Sequence, residues 1–171
     1  MYTHPDIQGW MSNEELQWLY DAARERKRIV EIGCWKGRST HALLSGCNGV
    51  VYAVDHFRGN PSEIDGAHEE AKTTDIYEIF EKNVGVFSNL FVIRKDSIEA
   101  AKHFRNNSLD MVFIDGEHTK EAFKEDFETW LPKCSGLFCG HDASMEGPNW
   151  YLNEYKIKHI TKGSIWILCR E

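Results

Sequence analysis

The chain lacks paired cysteine spacing, any apolar run long enough to cross a membrane, and any basic stripe. Its five cysteines (Cys34, Cys47, Cys134, Cys139 and Cys169) are odd in number and include no Cys-x-x-Cys pair. That spacing argues against a disulfide framework, and a zinc site built from Cys134, Cys139 and His141 lacks the usual ligand pattern. Most of the cysteines lie in or beside apolar runs, where a free thiol packs as a small hydrophobe. A reducing, cytoplasmic setting is the expectation. The first residues, Met1 to Asp6, lack the charged-then-apolar pattern of a secretory signal, and no apolar stretch approaches the ~20 residues of a membrane span. A net charge of −7 with no interleaved basic and aromatic residues excludes general binding to a nucleic-acid backbone. Internal repeats, low-complexity tracts and domain linkers are absent as well.

What is present is enough for one domain. The 171 residues can bury a real core, and we expect a single domain over residues 1–171, with 1–27 as a helical lead-in. Ser12 and Glu15 have capping-box spacing, and Leu16, Leu19, Tyr20 and Ala23 repeat at helical period through about Arg26. Apolar runs predict strands at Ile29–Ile32, Val50–Val54, Leu90–Ile93, Leu109–Ile114 and Gly136–Cys139. Helical patterns fall between them at about Ser39–Leu44, Thr74–Val84, Ile98–Phe104 and Lys120–Leu131, the last stopped by Pro132. An aromatic-rich segment (Trp150–Tyr155) precedes two more strands, Lys158–Thr161 and Ser164–Cys169, with Lys162-Gly163 as the turn. The polar segment His56–Ala71, with an Asn60-Pro61 turn, is long for an α/β connection and reads as a lid or binding loop. Strands alternating with helices predict an α/β, Rossmann-like doubly wound sheet, mostly parallel and closing on an antiparallel strand.

Ligands of such sheets bind beyond the carboxyl ends of the strands. The first strand runs into Glu31-Ile32-Gly33-Cys34-Trp35-Lys36-Gly37-Arg38-Ser39-Thr40, a glycine-bearing turn and a helix start whose free N–H groups suit a carboxylate. The spacing is Glu-x-Gly-x-x-x-Gly, so the Gly-x-Gly-x-x-Gly pyrophosphate fingerprint is incomplete. Glu31 would sit badly beside a diphosphate and well beside an ammonium group. This counts against a nicotinamide-dependent oxidoreductase, the competing enzyme reading. Asp55, closing the second strand, is placed to accept hydrogen bonds from both ribose hydroxyls. Asp96-Ser97 contacts an adenine or caps the helix at Ile98. Phe123, Phe127 and Trp130 read as core, and the charges of Lys120–Glu128 as the solvated face of their helix. Trp150 and Tyr151 are candidates for the wall of an acceptor pocket.

Val30-Glu31-Ile32-Gly33-Cys34-Trp35-Lys36-Gly37-Arg38-Ser39-Thr40, Val51-Tyr52-Ala53-Val54-Asp55-His56, Leu109-Asp110-Met111-Val112-Phe113-Ile114-Asp115-Gly116-Glu117-His118 and Leu137-Phe138-Cys139-Gly140-His141-Asp142, taken in order, resemble the class I S-adenosylmethionine-dependent methyltransferases. Within these the chain is most similar to the small-molecule O-methyltransferases, a group that includes macrolide-sugar, cephalosporin-tailoring and catechol O-methyltransferases. The resemblance implies a seven-stranded sheet with a reversed last strand, S-adenosylmethionine as cofactor and a small hydroxylated acceptor. Gly33, Cys34, Trp35, Gly37 and Ser39 would line the methionine end, Asp55 and His56 the ribose, and Asp96 and Ser97 the adenine. Asp115 falls where metal-dependent relatives place a ligand that also faces the cofactor. His118 falls where they place a catalytic base, a role that a side chain titrating near neutrality can fill. His141 and Asp142 take the place of a second metal-ligand pair, in a His-Asp version that would accept Mg²⁺ or Mn²⁺. Strand four ends without the Asn/Asp-Pro-Pro-aromatic pattern of DNA-methylating enzymes. A non-catalytic cofactor-binding module and a homo-oligomer stay open at this point.

Overall fold

A computed structural model describes residues 2–60 and 66–169; Pro61 of the expected Asn60-Pro61 turn lies outside the described residues. The elements run α1 (Asn13–Ala23), β1 (Arg28–Ile32), α2 (Arg38–Gly46), β2 (Val50–Val54), α3 (Ala67–Thr73), α4 (Ile76–Val84), β3 (Leu90–Ile93), α5 (Ser97–Ala101), β4 (Leu109–Ile114), α6 (Lys120–Trp130), β5 (Cys134–Gly140), α7 (Glu146–Glu154), β6 (His159–Lys162) and β7 (Ile165–Leu168). They build a seven-stranded sheet in the order β3-β2-β1-β4-β5-β7-β6, in which β7 runs antiparallel to both neighbours. The order reverses between β1 and β4, which is where a ligand crevice opens in a doubly wound sheet. No described helix is long and apolar enough to cross a membrane.

The strand period of two splits each central strand between two cores. Ile29 of β1 packs with Leu16, Leu19, Leu43 and Phe80 on one face. Val30 and Ile32 pack with Phe123, Phe127, Trp130 and Trp166 on the other. Glu31 falls on the same face as Ile29 by this period, and it is wholly buried.

Three local departures from the sequence reading have physical causes. The segment expected as one long loop contains α3, a short helix with no apolar stripe; Glu70 on it forms a 2.5 Å ion pair with the buried Lys36. The aromatic segment begins earlier, as α7, because Pro148 lies in the first helical turn, where its missing N–H has no partner to lose. Strand β5 starts two residues early, across a register irregularity opposite Leu109–Met111. A side chain at Gly136 would lie 2.1 Å from the Asp110 carbonyl oxygen there.

Candidate active site

The loop from β1 to α2 is tightly folded. Gly33 and Gly37 have φ of +82° and +89°, and Trp35 between them has +46°, which is uncommon for a side-chain-bearing residue and clusters at functional sites. Gly33 is obligatory for a second reason, since a Cβ there would lie 2.0 Å from the Asp115 carbonyl oxygen. Asp55 ties the loop to β2. Its Oδ2 accepts from the amides of Cys34 (2.8 Å) and Trp35 (2.9 Å), and its Oδ1 accepts from Phe57 (2.6 Å). A carboxylate offers about four acceptor positions, so these partners leave about one for a ligand.

Behind this loop lies a cavity of about 460 Å³ over the carboxyl ends of β1, β2 and β4, within the range of small-molecule sites. Gly33, Cys34, Trp35, Ser39, Asp55, His56, Asp96, Ser97, Asp115, His118, His141 and Asp142 all line it. Glu31 and Gly37, also expected at the cofactor, are not among its lining residues. Gly37 is the left-handed cap of α2 and packs under Phe80 and Val84. Ser39 and Thr40 lie inside α2. Thr40 Oγ1 instead donates to Glu31 Oε2 at 2.5 Å, while Glu31 Oε1 has no hydrogen-bond partner. Glu31 thus braces the start of α2 from inside the core.

Burial pushes the Glu31 carboxyl up to about 7, against the hydroxyls of Ser39 and Thr40 that hold it down, with Asp115 adding to the rise. A carboxyl raised on folding contributes stability that is complete below its unfolded value near 4.5 and is lost as the pH climbs through 7. Urea unfolding at pH 5 and pH 8 should therefore show a pH-dependent loss in the wild type, and Glu31→Gln should shrink it by on the order of 3 kcal/mol. An unchanged loss in the variant would contradict this assignment.

At the other end of the cavity, His118 Nε2 lies 3.0 Å from Asp142 Oδ2. Donor atoms of Asp115, His118 and Asp142 gather within 4.8 Å of one another. His141 is buried behind them, with Nδ1 3.2 Å from Asp142 and 3.6 Å from Asp115, and Nε2 3.5 Å from Glu15. Burial alone would lower its pKa, but Asp115 and Asp142 carry it up to about 11. An imidazolium has no lone pair to give. The grouped donor set is Asp115, His118 and Asp142; His141, expected as a ligand, lies beside both carboxylates and outside that group. Burial also works against the Asp142 carboxylate, yet hydrogen bonds from His118 and His141 hold it well below the usual range.

Further contributors bring the N-terminal segment to the site. Arg38 donates to the carbonyls of Ile7 (2.7 Å) and Met11 (3.0 Å), and Lys36 to Gln8 (2.6 Å). Together they bind the N-terminal segment across the loop, so that Trp10 and Met11 line the cavity. Trp150 and Tyr151 do not line it; Tyr151 is buried against Phe127. Trp10, Met11, Trp35 and Met145 are among the side chains that do. Asp126 on α6 also lines the cavity although the sequence reading placed it on a solvated face, and it is only 7% exposed. Its signal was available: residues 123, 126, 127 and 130 form one helical stripe, and the other three are the buried aromatics Phe123, Phe127 and Trp130.

A ligand cavity at the switch point of a seven-stranded sheet with a reversed β7 defines the class I methyltransferase architecture. Residues 30–143, more than half of the chain, match the family described as a methyltransferase domain, and the chain belongs to that family. Among solved structures, the fold is similar to the S-adenosylhomocysteine complex of an O-methyltransferase from Bacillus cereus, with a TM-score of 0.65 and 16% identity over 98% of this chain and 84% of that one. It is also similar to the S-adenosylhomocysteine-bound methyltransferase PaMTH1 of Podospora anserina, with a TM-score of 0.64 and 18% identity over 95% and 80% of the two chains. An uncharacterized protein of Sinorhizobium fredii, y4gI, is 32% identical over 139 residues, which are 75% of this chain and 14% of that protein. The chain thus spans a small part of that relative.

Proposed function

We propose that this chain is an S-adenosylmethionine-dependent O-methyltransferase acting on a small hydroxylated acceptor. The observation that carries the reading is the His118–Asp142 pair, 3.0 Å apart, facing the same cavity as the loop braced by Asp55. Family membership and the kinship in fold with S-adenosylhomocysteine-bound enzymes support the cofactor. The residues present fit it, since the cavity has ligand size and Asp55 retains an acceptor position beside the loop that lines it. When bound, S-adenosylmethionine supplies a sulfonium methyl group that an oxygen nucleophile can take, leaving a thioether.

The chain's own residues do the rest. Gly33, Cys34, Trp35 and Ser39 hold the amino-acid end, and Asp55 with His56 holds the ribose. His118 accepts the proton of the acceptor hydroxyl at Nδ1, while Nε2–H donates to Asp142, which orients the ring as the carboxylate does in other His–Asp pairs. Trp10 and Met145 cover the acceptor and exclude water. Most of the rate then comes from holding two reactants in line.

The donor chemistry also fits a divalent cation. Three carboxylates (Glu15, Asp115 and Asp142) surround the His141 ring, so the cluster keeps an excess of negative charge whether or not that ring is protonated. Asp115 and Asp142 would hold Mg²⁺ or Mn²⁺, which would steady a developing alkoxide. The test is incubation with S-adenosylmethionine and a panel of phenols, catechols and sugar alcohols, with Mg²⁺, Mn²⁺ or EDTA. Mass spectrometry should find S-adenosylhomocysteine matched by a product heavier by one methylene. Turnover of no acceptor, with cofactor binding intact, would overturn the enzymatic reading in favour of a binding module.

A further inference from the structure

The turn after β5 carries more than the Asp142 side chain. Asp142 has a left-handed φ of +54°, which Asp tolerates better than most residues. Its carbonyl accepts from the Met145 amide at 2.8 Å, and α7 starts directly after. The first N–H groups of a helix have no partner within it, and no side chain caps α7. The Gly147 amide, in that first turn, donates instead to the carbonyl oxygen of His118 at 2.8 Å. Only glycine fits there. A Cβ at Gly147 would lie 2.5 Å from the Thr119 oxygen, 2.7 Å from the His118 oxygen and 2.9 Å from Phe123 Cβ. The two oxygens belong to the backbone, so no change of rotamer relieves the clash.

We propose that Gly147 is a positioning residue: by docking the start of α7 on the His118 carbonyl, it holds His118 at hydrogen-bond distance from Asp142. The contacts form a closed ring. Asp142 is joined through its turn to α7, α7 through Gly147 to the His118 backbone, and His118 Nε2 back to Asp142 Oδ2 at 3.0 Å. His118 and Asp142 follow different strands, β4 and β5, and α7 ties their two loops together beyond the sheet. The consequence for rate rests on the reading above, in which His118 takes the acceptor's proton. A misplacement of about 1 Å can cost on the order of 10²-fold.

The experiment compares wild type with Gly147→Ala, whose added methyl pushes α7 off the loop. Turnover should fall about 10- to 100-fold in kcat, while the acceptor KM and the affinity for S-adenosylhomocysteine stay within about 2-fold. In a His118→Gln background the same substitution should cost less than about 2-fold more, because no base is left to place. A full additional loss there would overturn the proposal, as would an unchanged kcat in Gly147→Ala. Two NMR readouts need no turnover. The wild-type Gly147 amide should exchange with water at least about 100-fold more slowly than a free amide. His118 Hε2, held by Asp142, should give a resolved resonance in wild type and lose it to solvent exchange in Gly147→Ala, with thermal unfolding to verify that the variant folds. Retention of that resonance in the folded variant would overturn the proposal. If the variant does not fold, wild type decides alone: a protected Gly147 amide supports the docking, and a freely exchanging one overturns it. If wild type turns over no acceptor, the methyltransfer reading fails, and the NMR pair still decides whether Gly147 places His118.

Discussion

Replacing His118 with Gln should lower kcat by about 10²- to 10⁴-fold, the usual contribution of a positioned general base. Gln can still hydrogen-bond to Asp142, so the fold and the carboxylate cluster keep their contacts while the proton acceptor is removed. Cofactor binding should change little, since His118 lies at the acceptor end of the cavity. Steady-state kinetics with a responsive acceptor, alongside thermal unfolding of the variant, separates chemistry from folding. Asp142→Asn should give a smaller loss, because it disturbs the orientation of the ring and leaves the base in place. Equal turnover by wild type and His118→Gln would remove His118 from the mechanism.

The second large effect concerns Asp55. Its two oxygens accept from three backbone amides, those of Cys34, Trp35 and Phe57. An Asn at this position has one acceptor oxygen, so its N–H₂ must face an amide donor on one side. Charge-assisted hydrogen bonds are worth about 1.5–3 kcal/mol each, so Asp55→Asn should cost on the order of 2–4 kcal/mol of stability. With the loop untied, affinity for S-adenosylhomocysteine should also fall by about 100-fold. Thermal-shift curves with and without the ligand would report both, as a lower midpoint and a lost ligand-induced rise. A variant that melts and responds as wild type would show that Asp55 neither braces the loop nor meets the ligand.

The sheet was legible because its strands are apolar runs bounded by turn residues, and the site was legible because acids close those runs. Asp55 and Asp115 both stand at strand ends that converge on one cavity. What escaped the sequence were partnerships that depend on the third dimension. Glu31 reads as a ligand for an ammonium group until the strand period turns it onto Thr40. The approach of Glu15, more than a hundred residues earlier in the chain, to the His141 ring is likewise invisible in the sequence. Asp126 was hidden among the charges of α6, although it shares a stripe with three buried aromatics. Helix α3 has no apolar periodicity to announce it, and its ion pair to Lys36 appears only on folding.

The central claim is that the loop after β1, tied by Asp55, forms a nucleoside cofactor site on this chain. Calorimetric titration of S-adenosylhomocysteine into the wild-type protein tests it most directly. Saturable binding at one site per chain is the predicted result. The absence of any binding heat up to millimolar ligand, with the protein folded, would contradict it.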